Sequence, residues 1–142
     1  DRRVMYLNDS TAYLTYAFDF DLASGSISGR RVLHRHDPAF GLPDGLAVDA
    51  QGNIWNGMWN GWIVKELAPD GAERARHPMP VERPSSVSFG GAELDTLLVT
   101  SATNGFEMAN FIKSPLAGGL FAGTPGARGQ EAGRFDLSAL GL

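Results

Sequence analysis

The chain has 142 residues, of which 43% are hydrophobic, 20% charged and 10% aromatic, the balance of one folded domain (1–142) able to bury a core. With 16 acidic and 12 basic residues the net charge is −4, which lacks the positive excess needed to track nucleic-acid phosphates, and no apolar run nears the roughly 20 residues that cross a bilayer. Cysteine is absent, so disulfides, thiolate metal sites and a cysteine nucleophile are excluded and any metal must be held by oxygen or imidazole.

Taken in chain order, the 18 glycines and 8 prolines punctuate short runs rich in β-branched and aromatic residues, the pattern of an all-β chain. Within 3–27, VMYL and YLTYAFDF predict two strands joined as a hairpin, with Leu14, Tyr16 and Phe18 on one face. Further strands are predicted over 31–35, 45–49, 53–58 and 62–67, separated by glycine turns at 49–53 and 69–71. Residues 103–119 show no clear period and read as a long loop or insertion. The best helical stretch is 131–142, weakened by Gly133 and Gly141.

The chain also resembles itself. An offset of 49 sets Tyr6 on Trp55, Leu14 on Ile63 and Phe18 on Leu67, while an offset of 41 sets Pro43 on Pro84 and makes GLAVD and SVSFG equivalent strands. Units of about 40 to 50 residues with several short strands each are the mark of propeller blades. About three fit in this length, fewer than the roughly 4 to 8 of a closed ring.

The most specific segment is LPDGLAVDAQGNIW at 42–55. Pro43 fixes the backbone before Asp44 and Gly45 permits a sharp turn into the strand, so the carboxylate is aimed from a rigid base. At the start of an innermost propeller strand it would face the central channel, where a metal or a water could sit. The plainer alternative is an aspartate that caps its own turn. Asp9 and Ser10 follow a strand and are candidates for channel or substrate contact, against the alternative of a turn that bonds its own backbone. His34 and His36, two apart on a strand, share one face and with Asp37 resemble half of a metal site, but no third histidine is close in sequence and a polar blade edge is the favoured reading. Trp55, Trp59 and Trp62, interleaved with Asn56 and Asn60, offer aromatic surfaces for a sugar ring, with Trp59 the candidate substrate contact and Trp55 read as packing between sheets. No G-x-S-x-G elbow, phosphate loop or dinucleotide fingerprint is present.

Five stretches carry a resemblance: YLNDS (6–10), YAFDFDLASGSISGRRV (16–32), LPDGLAVDAQGNIW (42–55), RPSSVSFGGAELDTLLVTSA (83–102) and AGGLFA (117–122). In this order they resemble the senescence marker protein (regucalcin), gluconolactonase and luciferin-regenerating enzyme family of six-bladed propellers. The resemblance implies an all-β fold of about three blades of a six-bladed ring, the C-terminal half of a longer protein. It implies a hydrolase that opens a sugar lactone with a divalent cation, calcium or zinc, with magnesium also compatible with oxygen ligands. Asp44 matches the family's metal-binding aspartate, which implies both a ligand role and help in deprotonating the attacking water. The family's other ligands, an early glutamate and an asparagine shortly before the segment matching 6–10, have no counterpart in this sequence.

Three positions depart from the family pattern: Asn8 stands where alanine or isoleucine is usual, Asn56 where a small apolar residue is usual, and Trp62 near a usual glycine. The alternative reading is a non-catalytic half-propeller that binds or scaffolds. In either case the ring is expected to close with the missing half or by self-association, and without such a neighbour Leu46, Val48, Phe89 and Leu98 are expected to be exposed. The chain opens on Asp1, not methionine, so its natural start is not expected to be in view; with no leader-like segment, the cytoplasm is the expected location.

Overall fold

The computed structural model describes residues 3–133 and 137–140. Among these, three antiparallel sheets account for all the named strands. The first sheet is β1 (Val4–Asp9), β2 (Leu14–Phe20) and β3 (Ile27–Arg35), in that order. The second is a four-stranded meander of β4 (Leu42–Val48), β5 (Ile54–Trp59), β6 (Ile63–Leu67) and β7 (Glu73–Pro78). The third is β8 (Pro84–Gly90), β9 (Thr96–Ser101) and β10 (Leu120–Gly123).

The second sheet sits between the other two and supplies the largest share of the core, five of the eleven buried hydrophobic residues among those described. β5 and β6 are its central strands, covered on both faces, so their apolar residues run on rather than alternate and Ile54, Trp55, Met58, Val64 and Leu67 are all buried. Trp55 joins this sheet to the third: it packs in one cluster with Val64, Val87, Leu97 and Val99, stacks on His77 and meets Phe89 edge-on at 5.7 Å between ring centroids. Its indole N–H reaches the buried Asp49 carboxylate at 3.1 Å, which also accepts from the Gln51 and Asn53 backbone amides and from Asn53 Nδ2. One carboxylate therefore holds the whole β4–β5 turn.

The internal repeats have structural counterparts. β1 and β2 match β5 and β6 at the offset of 49, and the loop residues Tyr13 and Trp62, also 49 apart, share a left-handed backbone with φ of 57° and 59°. β4 and β8 each carry a proline within their first two residues, Pro43 and Pro84, and each ladder shifts register directly after it. The first sheet thus has equivalents of β5, β6 and β7 but, among the described residues, no equivalent of β4.

Several expectations change in detail. β3 starts at Ile27 and β4 at Leu42, each earlier than read from sequence, because pairing with a neighbour extends a strand beyond its apolar residues. β7 has no sequence signal: ERARHP forms an edge strand because Lys65↔Arg76 and Glu66↔Ala75 pair across the ladder and Arg74 reaches Glu66 at 2.9 Å. The 103–119 stretch contains a short helix, α1 (Met108–Lys113), closed by a reciprocal capping box between Glu107 and Asn110. The expected C-terminal helix is not found at 131–133, which carry no regular structure, and only a 3₁₀ turn spans Leu137–Leu140; 134–136 and 141–142 lie outside the described residues. Leu46, Val48, Phe89 and Leu98 are half-buried, while exposed apolar residues occur on the first sheet at Val4, Leu7, Ile27 and Val32 and around α1 at Met108, Phe111, Ile112 and Leu116.

Candidate functional site

The site begins with a break in a ladder. Pairing between β4 and β5 shifts between Pro43 and Leu46, so the Pro43–Asp44–Gly45 backbone is released from the regular hydrogen-bond pattern. Side chains from the first sheet take up two successive carbonyls: Ser10 Oγ donates to the Pro43 carbonyl and Asn8 Nδ2 to the Asp44 carbonyl, both at 2.6 Å. On the other side the third sheet closes in, since a Cβ on Gly45 would lie 2.6 Å from Ser86 Cβ and 2.8 Å from its Cα, so only glycine fits there. The turn is therefore gripped from both neighbouring sheets.

The Asp44 side chain rises from this fixed backbone, half-buried, into a cleft of about 180 Å³ that it lines with Ser10, Leu42 and Trp59. Among the described residues no donor or cation meets its carboxylate, and burial pushes its pKa above its ordinary value. A desolvated, uncompensated carboxylate gains free energy by taking up a proton or a cation. Asp44 thus fits as one oxygen ligand of a hard divalent ion. The described residues do not bring together three or more His, Cys, Asp or Glu side chains in any one place, so the roughly 6 to 8 oxygens of a calcium shell need further donors.

Trp59 forms the cleft wall, with the Arg83 guanidinium lying 5.1 Å from its ring centroid. Arg83 also donates to Asn60 Oδ1 at 2.7 Å and to the Asn104 carbonyl, and so ties the β5–β6 loop to the segment before α1. Ser10 lines the cleft while its hydroxyl holds Pro43. The Asp9 carboxylate accepts from Thr11 Oγ1 and the Ala12 amide, within its own turn. Trp62 is 37% exposed and lies outside this lining.

The histidine pair stands at the end of the edge strand β3, but not as two solvated side chains. His34 and His36 meet edge-on at 4.6 Å, but His36 is buried, with Nε2 2.8 Å from Thr15 Oγ1, while His34 Nδ1 donates to the Gly71 carbonyl. Burial, with the positive Lys65 nearby, lowers His36 to about 3, so it is neutral at ordinary pH. Sequence reasoning found Asp44 through its Pro-Asp-Gly setting but missed Asn8 and Asn56 as partners. Their only signal was departure from the family pattern at both positions.

Comparison with known proteins places the chain in a family. Residues 1–103 match the family model described as the SMP-30/gluconolactonase/LRE-like region. The chain is 34% identical over 122 residues to regucalcin of Sus scrofa, covering 85% of this chain and 41% of that protein. It is 39% identical over 102 residues to a pentonolactonase of Haloferax volcanii, covering 72% of this chain and 35% of the relative. Among solved structures, a calcium-binding regucalcin of Agrobacterium tumefaciens superposes with a TM-score of 0.85 at 27% identity, over 92% of this chain and 44% of the other. The chain therefore spans less than half the length of the relatives it matches.

Proposed function

Since the chain belongs to the SMP-30/gluconolactonase/LRE-like family, we propose that it is the C-terminal half of a six-bladed propeller that hydrolyses a sugar lactone with a divalent cation. The single observation that carries this reading is the Asp44 carboxylate, fixed by its backbone, desolvated and without a partner among the described residues, at the wall of a cleft. The repeat structure supports the ring: β4 and β8 take the place of innermost blade strands, and Asp44 stands at the start of one of them. Relatives and solved neighbours named for pentonolactone hydrolysis and calcium binding support the substrate class and the cation.

In this reading Asp44 is one ligand of calcium or zinc, with magnesium the other oxygen-seeking candidate. When bound, the cation polarises the lactone carbonyl as a Lewis acid. Asp44 orients that cation and accepts the proton of the attacking water at a carboxylate oxygen. Trp59 offers an apolar face to the sugar ring, and Arg83 behind it keeps the indole in place. Ser10 holds the Pro43 carbonyl and thereby the height of the turn.

The test is ring opening of an aldonolactone by the protein as its reading frame encodes it, with chelator and after return of calcium or zinc. Activity lost to the chelator, restored by the metal, and reduced at least about 100-fold by Asp44→Asn is the expected outcome. A second reading, a non-catalytic module that binds or scaffolds, draws on one observation: among the described residues no three metal-ligating side chains converge. Chelator-insensitive or absent turnover with intact folding would favour it.

A further inference from the structure

Asn8 on β1 and Asn56 on β5 meet across two sheets, with Asn8 Nδ2 2.9 Å from Asn56 Oδ1. One group fixes the orientation of everything around them. The Asp44 carbonyl can only accept, so the atom of Asn8 at 2.6 Å from it must be the amide nitrogen. Asn8 Oδ1 then faces Thr15 Oγ1 at 2.6 Å and takes its single hydrogen. Thr15, having given that hydrogen away, accepts from His36 Nε2–H at 2.8 Å. A one-way chain of hydrogen bonds results, from the buried His36 through Thr15 and Asn8 to the backbone carbonyl of Asp44.

Thr15 and Asn56 are wholly buried, and this arrangement is not the least costly way to fill the space. Asn56 Nδ2 is buried without a hydrogen-bond partner, as is His36 Nδ1, and an apolar side chain in place of Asn56 would avoid the first of these penalties. What the amides supply and apolar side chains do not is a fixed anchor for one carbonyl at a point where the β4–β5 ladder has let go.

We propose that Asn8 and Asn56 are positioning residues for Asp44: the amide pair locks the backbone of the Asp44 turn so that its carboxylate meets a divalent cation in one orientation. This rests on the reading of Asp44 as a cation ligand. In that role the pair acts as an outer-shell device, the kind of contact whose loss typically weakens a metal about 10- to 100-fold.

The experiment is calorimetric titration with calcium and with zinc ions, alongside thermal unfolding, on the protein as its reading frame encodes it. Four forms are compared: wild type, Asp44→Asn, Asn8→Ala and the double variant Asn8→Ile with Asn56→Val. Asn8→Ala strands the Asp44 carbonyl and Asn56 Oδ1 and is expected to lower the melting temperature. The double variant removes the stranded Asn56 amide but leaves the Asp44 carbonyl and the Thr15 hydroxyl without Asn8, so it is expected to recover part of that temperature, yet to bind the cation at least about 10-fold more weakly than wild type. Stability partly regained without any regain of affinity separates positioning from packing. A double variant with wild-type affinity, while Asp44→Asn abolishes binding, overturns this proposal and leaves the Asp44 reading standing. Wild type that binds neither ion, or Asp44→Asn that binds as wild type does, overturns both.

Discussion

At the residue scale, the two perturbed groups near the Asp44 turn are perturbed in opposite senses. Asp44 is raised by burial, so its ionised form costs stability at neutral pH; that cost is fully present above its native pKa and vanishes below the unfolded value of 3.8. In the absence of metal, Asp44→Asn is expected to leave stability unchanged or raise it by about 0.5 kcal/mol at pH 7, an effect that fades in acid; urea denaturation at both pH values checks this. A clear loss of stability at pH 7 would instead make the carboxylate structural. His36 is lowered to about 3 from 6.5 by burial, by Lys65 and by His34, with Glu73 opposing. The unfolded chain therefore binds a proton there before the native one does, and stability contributed by neutral His36 is present above 6.5 and lost as pH falls toward about 3. His36→Gln keeps a donor for Thr15 and removes the titration, so the acid limb of its denaturation profile is expected to be flatter. An unchanged slope would place the acid sensitivity elsewhere.

At the element scale, the hairpin after β5 offers a test of backbone conformation separate from function. Trp62 holds a φ of 59°, a left-handed conformation that penalises any side chain by about 1 kcal/mol or more. Trp62→Gly is therefore expected to be more stable than Trp62→Ala by about 1 kcal/mol in denaturant titration, and equal stabilities would show that the loop relaxes instead. The same elements show what was legible in the sequence. β1, β2, β5 and β6 were readable because apolar runs alternate with Asn, Asp and Gly turns, and β4 and β8 because an offset of 41 sets Pro43 on Pro84 and GLAVD on SVSFG. β7 was not, since Glu73, Arg74 and Arg76 become strand only through their partners on β6. Nor was the buried fate of His36, which depends on Thr15, a residue 21 positions earlier on another strand. Asp44 was found by a local signature, the proline and glycine around it. The Asn8–Asn56 contact spans 48 positions, and no local rule anticipates it.

At the scale of the whole molecule, the first sheet contains equivalents of β5, β6 and β7 without one of β4, and it exposes Val4, Leu7, Ile27 and Val32. If the chain is half of a ring, it is expected to associate when prepared alone, with sedimentation showing a mass that grows with concentration. A monodisperse monomer that unfolds cooperatively would contradict the half-ring. The family accounts for the fold, but the proposed activity rests on one carboxylate in one cleft. The measurement that addresses this most directly is anomalous diffraction from crystals of the protein, as its reading frame encodes it, grown with calcium or zinc. The account predicts a metal peak about 2.0 to 2.6 Å from an Asp44 carboxylate oxygen, facing the cleft beside Trp59. A cation bound elsewhere, with Asp44 facing only solvent while lactone is still opened, would contradict it.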